Sequence, residues 1–172
     1  PIGLVAFVLV IVPLVLKNIH QVPQRITDLR TGIYGAPFVF VCVPVLFVSG
    51  YLALELAEIF PILQWSWLGI NFVAAPVQQA SPAATGSSGP DPLTIAIFAA
   101  GMMIIYLAML IFAYSEEQHY RDSYPLVAVW AAMHVIMGPP LLVVGPLFLL
   151  GLVYKFIYDT IGLEAAYTAH FL

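Results

Sequence analysis

Residues 93–114 form an unbroken run without a single charged side chain, long enough to cross the hydrocarbon core of a bilayer. About 20 residues at 1.5 Å rise each cover roughly 30 Å of hydrocarbon. Inside such a layer the backbone has no water to bond, and an α-helix is the single segment that satisfies all of its own amides. Comparable runs occupy residues 1–16, 37–56, 125–137 and 141–157, and another opens near Gly162. Only 8% of the chain is charged and its mean hydropathy is +1.01, far from the roughly 25% charge of soluble domains. The fold class expected is all-α: a polytopic transmembrane helical bundle of about five to six spans plus one re-entrant or interfacial segment. It forms a single transmembrane domain over residues 1–172. A β-barrel does not fit, because the apolar residues are continuous instead of alternating.

The termini and connectors shape that expectation. The chain begins at Pro1 directly in an apolar run and stops two residues after His170, so it reads as part of a longer polypeptide. No basic stretch precedes the first run and no small-residue cleavage site follows it, which favours a spanning helix over a signal peptide. Residues 17–31 form a polar connector, 78–92 a flexible loop rich in Ser, Gly, Pro and Ala, and 93–172 a region that carries the motifs described below. Residues 59–77 are ambiguous, since Pro61, Gln64, Ser66, Gly69 and Asn71 interrupt an apolar segment. If that segment does not cross, Lys17, Arg25, Arg30, Arg121 and Lys155 share one side, the arrangement that positive-inside bias favours. Its aromatics, Phe60, Trp65, Trp67 and Phe72, suit a headgroup zone. Partners in this reading are the lipid bilayer itself and other membrane components. No basic patch points to nucleic acid, and the lone Cys42 offers neither disulfide nor cysteine metal site.

Ionisable groups are rare in such a chain, and those beside or within apolar runs are the places to look for function. Glu117 and Arg121 are four apart and meet on one helical face. Glu116 points about 100° away, with its carboxylate free for another task. Trp130 and His134 are also four apart, which sets an indole beside an imidazole in the fourth run. His170 follows residues 162–169, a small-residue surface suited to close helix packing. One carboxylate and two imidazoles from three spans can activate a water, as general base or with a metal, and polarise a carbonyl. The plainer alternatives are a solvated charged turn for Glu116, Glu117 and Arg121, and a structural hydrogen bond for each imidazole. His20 and His119 read as interfacial, and Pro139-Pro140 as a helix break beside His134.

At these residues the chain resembles the CPBP family, the CAAX protease and bacteriocin-processing intramembrane endopeptidases. The family pattern is EExxxR, then an aromatic-xxx-His, then HxxxN/D. EExxxR reads here from Glu116 to Arg121, and the aromatic-xxx-His reads from Trp130 to His134, with Trp where Phe is usual. Residues 151–170 resemble the last motif region, and its Asn or Asp would fall four residues past His170. The resemblance implies that Glu116 is the catalytic base, that Arg121 orients Glu117, and that His134 and His170 hold a water or a divalent metal such as zinc and stabilise the oxyanion. It implies hydrolysis of a peptide bond in a membrane-associated, in some members prenylated, substrate. The location it implies is a prokaryotic or organellar inner membrane, with the Glu116 end facing the cytoplasm. Two departures are the short gap between Arg121 and His134 and the unseen final motif residue.

Another class of function competes: a non-catalytic subunit or assembly scaffold of a larger membrane complex that keeps the same fold. One version of it makes His134 or His170 an axial ligand of a haem or chlorophyll. A small transporter has less support, since no inverted repeat is visible in the sequence.

Overall fold

The computed structural model describes residues 2–66 and 92–172, and everything structural below concerns those residues. They are helical throughout, with no strand among them. Helix α1 (Ile2–Asn18) passes through a single 3₁₀ turn into α2 (Val22–Thr31). A 3₁₀ stretch, Ile33–Phe38, leads into α3 (Val39–Ile59). Then come α4 (Pro92–Tyr120), α5 (Tyr124–Met133), α6 (Val144–Thr160) and α7 (Leu163–Phe171). Among the described residues, three helical stretches are long and apolar enough to cross a membrane: Ile33–Ile59, Ala99–Tyr120 and Leu141–Thr160. The protein is thus a helical membrane protein. Of the five to six expected spans, these three meet the length and hydropathy that crossing requires.

Several boundaries differ from the sequence expectation for local reasons. The polar connector at 17–31 is helical over most of its length, because α2 starts at Val22 with Pro23 in its first turn, where a missing N–H costs nothing. Helix α4 runs past Tyr114 to Tyr120, so Glu116 and Glu117 sit on a continuing helix and not in a turn. The fourth run is a helix of ten residues followed by a 3₁₀ turn, His134–Met137, closed by Gly138 at φ 110°. Glycine reaches that left-handed conformation without Cβ strain, and Pro139 and Pro140 then prevent the helix from continuing. Residues 59–66 turn back at the end of α3, where the backbone N–H of Leu141 donates to the Trp65 carbonyl at 3.1 Å. The Ser66 hydroxyl donates to the Gly138 carbonyl in the same place. The remainder of the ambiguous segment and the 78–92 loop up to Asp91 lie outside the described residues.

Helix α7 is short but central. It packs against α2, the 33–38 stretch, α4 and α6. Ala165, Ala166, Tyr167, Thr168 and Ala169 are all buried, as a small-residue surface permits. The approach is closest at two glycines: a Cβ on Gly35 would lie 1.9 Å from the Ala165 carbonyl oxygen, and one on Gly32 1.9 Å from that of Glu164. The Tyr167 hydroxyl donates to the Leu110 carbonyl at 2.6 Å, giving a buried phenol the partner it needs. The largest core cluster joins Cys42 of α3, Trp130 and Ala131 of α5, Leu150, Tyr154 and Ile157 of α6, and the alanines of α7. Trp130 is 2% exposed at its heart.

Candidate functional site

Helix α4 delivers the two adjacent carboxylates to different surroundings. Glu117 and Arg121 are both fully buried, and their side chains form a two-pronged pair: Arg121 Nε donates to Glu117 Oε2 at 2.8 Å and Nη2 to Oε1 at 2.7 Å. The planar fork of a guanidinium matches a carboxylate in this way, which fixes both groups. Solvation of a charged turn is therefore not how these two residues are held. Arg121 also lies over the Trp130 ring, its Cζ 4.2 Å from the centroid, and its Nη1 has no hydrogen-bond partner. A cation over an indole face gains from the ring quadrupole, more so when both are out of water.

His170 completes this buried set from α7. Its Nδ1 lies 2.8 Å from Glu117 Oε1, so Nδ1 carries the proton and donates. The imidazole stacks on Tyr154 of α6 at 4.8 Å between centroids and meets the Trp130 ring edge-on at 5.5 Å. Thus His170 joins Glu117, not Glu116. A removed partner here would strand a charge where water cannot reach it.

Glu116 turns the other way along α4 and reaches α5. The Trp130 indole Nε1 donates to Glu116 Oε2 at 2.6 Å. His134, one turn further along, is half-buried and anchored through Nδ1 to the Trp130 carbonyl at 2.9 Å. Because a carbonyl only accepts, Nδ1 is the protonated nitrogen, and the neutral ring presents the Nε2 lone pair elsewhere. The His134 ring packs edge-on against the same indole at 4.7 Å. Trp130 therefore touches Glu116, Arg121, His134 and His170 alike.

His134 also lines a cavity of about 630 Å³ between α3 and the segment after the helix break. Its other walls include Leu46, Phe47, Leu54, Pro139 and Leu147, all apolar. Pro139, which follows the Gly138 that closes the preceding turn, thus helps form the hollow beside the imidazole.

Two contributors to the site were not singled out from the sequence. Tyr154 supplies the stacking surface for His170. Lys155, buried in α6, donates from Nζ to the Arg121 carbonyl at 3.0 Å and to Asp159 at 2.9 Å. A lone lysine in an apolar helix, with an acid four residues on, was the available signal for the latter. His20 bonds the nearby Lys17 carbonyl, and His119 the carbonyl and hydroxyl of Ser115, one turn back on the same helix.

The donor arrangement does not fit a metal held by side chains in the usual number. Among the described residues, no three or more His, Cys, Asp or Glu side chains are grouped to share an ion. His134 and His170 each spend Nδ1 on a protein acceptor, and Glu117 is taken by Arg121. Compared with protein-family models, curated proteins and solved structures, the chain matches none.

Proposed function

We propose that Glu116 and His134 form the hydrolytic centre of an intramembrane endopeptidase similar to the CPBP family. The observation that carries this reading is that one residue, Trp130, holds both groups, Glu116 through its indole N–H and His134 through its backbone carbonyl and ring edge, and that His134 lines an apolar hollow. Glu116 keeps one oxygen beyond its bond to Trp130, and His134 keeps Nε2. A water between them gives its proton to Glu116 while its oxygen adds to the scissile carbonyl carbon. The C–N bond then breaks as the proton passes to the leaving amine, with His134 Nε2 hydrogen-bonding the reacting oxygen. General acid–base help of this kind contributes about 10²–10⁴-fold. Glu117, Arg121 and His170 hold the framework and supply a fixed charge pattern behind the reacting groups.

The substrate in this proposal is a membrane-associated peptide whose apolar portion enters the hollow next to His134. The membrane is a prokaryotic or organellar inner membrane, and the Glu116 end faces the cytoplasm. What supports that orientation is the closeness of α2 to the Glu116 end of α4: the Arg25 guanidinium lies 3.8 Å from the Tyr114 ring centroid. The cations of α2 and those at Arg121 and Lys155 then share a side, as positive-inside bias favours. Cleavage of a membrane-bound peptide by the purified protein is the test. Glu116→Ala and His134→Ala are expected to lose it while remaining folded and inserted, and wild-type turnover in both removes the mechanism.

One observation favours a second reading, a non-catalytic subunit or scaffold of a larger membrane complex. The Glu117–Arg121–His170 set is closed on itself and buried, as a purely structural polar core would be. Stable co-purification with larger subunits, and an unchanged phenotype for Glu116→Ala, would support it. A visible absorption band in the purified protein would identify the pigment-binding version.

A further inference from the structure

We infer that Trp130 is the positioning residue of this site, aiming the Glu116 carboxylate through its indole N–H; the inference rests on the hydrolytic reading above for its functional part. The 2.6 Å contact from Nε1 to Glu116 Oε2 joins α5 to α4, fourteen residues apart in sequence. A smaller aromatic residue without an N–H, such as phenylalanine, would keep a ring in the core but leave that oxygen unbonded. The indole cannot rotate away, because it is held on several sides. Arg121 lies over its face, and the rings of His134, His170 and Tyr154 meet it edge-on. Behind it Gly151 leaves no spare room: a Cβ there would sit 3.1 Å from the indole and 2.7 Å from Val127. A donor fixed so firmly fixes its acceptor, and a charge-assisted bond is the stronger kind. Glu116 is half-buried on a helix surface and depends on that bond for a single orientation. Preorganisation of a reacting group by a neighbour locked in packing is how a small displacement is prevented from costing rate.

The test has two independent readouts on the full chain in lipid nanodiscs. First, the three tryptophans are labelled with ¹⁵N and the Trp130 indole N–H resonance is assigned as the one lost in Trp130→Phe. It is expected downfield in the wild type and to move upfield in Glu116→Ala, with a smaller move in Glu116→Gln, which keeps an acceptor. An indole resonance unmoved in both variants, while the other two indoles overlay the wild type, overturns the coupling. Secondly, Trp130→Phe is expected to lower kcat for peptide cleavage about tenfold, with KM within about twofold, as loss of one charge-assisted bond implies. Wild-type kcat in a folded Trp130→Phe protein overturns the positioning role. If the wild type cleaves nothing, the hydrolytic reading fails by itself, and the indole resonance still decides whether Trp130 holds Glu116.

Discussion

His170 and Glu117 stand 53 positions apart in the chain, yet the imidazole Nδ1 donates to the carboxylate at 2.8 Å. That bond ties the last described helix to α4, and Arg121 clamps the same carboxylate from one turn further along. The stability of the bundle and the order of its site therefore meet at one buried acid.

Removing that acid alone should be costly. Glu117→Ala leaves Arg121 charged and unpaired in a dry interior, and breaking a buried pair in this way costs about 3–5 kcal/mol. The double variant Glu117→Leu with Arg121→Met is expected to be more stable than either single variant. Reversible denaturation of the purified protein in mixed micelles measures both. Single variants as stable as the wild type would mean that the pair contributes nothing.

Gly35 is expected to resist even the smallest side chain. Its Cβ position lies 1.9 Å from a backbone oxygen of α7, and backbone cannot yield as a flexible side chain can. Overpacking of this kind costs about 1–3 kcal/mol or somewhat more. Gly50→Ala is the control, since nothing lies within 4 Å of its Cβ position. The same denaturation assay should show a loss for Gly35→Ala and little change for Gly50→Ala.

Lys155 bonds the Arg121 carbonyl at the point where α4 ends. Lys155→Met keeps the apolar stem and removes the donor, leaving that carbonyl and the Asp159 carboxylate without it. A loss of about 1.5–3 kcal/mol is expected, the range for a hydrogen bond to a charged group. An unaltered unfolding transition would contradict it.

Arg30 and Gln118 are both exposed and belong to α2 and the end of α4, which lie near one another. With Cys42 replaced by alanine, Arg30→Cys and Gln118→Cys are expected to react with an impermeant thiol reagent from the same face of sealed vesicles. Reaction from opposite faces would refute the shared side.

The extent to which this architecture was readable from residues follows from physical range. Three of the expected spans were legible because hydrocarbon thickness sets a length, and the Glu117–Arg121 pair because helical neighbours four apart must meet. The placing of Trp130 beside His134 was legible for the same reason. Contacts between helices were not. Helix α4 is apolar nearly all round, so its periodicity carries no mark of which side faces α5 and which faces α7. That is why the pairing of His170 with Glu117, and of the Trp130 N–H with Glu116, emerged only from the fold. Gly32 and Gly35 were hidden likewise, since their need for space comes from a helix more than 120 residues later.

The central claim is that Glu116 and His134, both held by Trp130, act as one hydrolytic unit. Its most direct measurement is a double-mutant cycle on turnover of a membrane-bound peptide, using Glu116→Ala, His134→Ala and the two combined. Each single variant should lose about 10²-fold or more, and the double variant should fall scarcely further, as residues acting as a unit do. Turnover at the wild-type rate in both single variants, or losses that simply multiply in the double, would contradict the account.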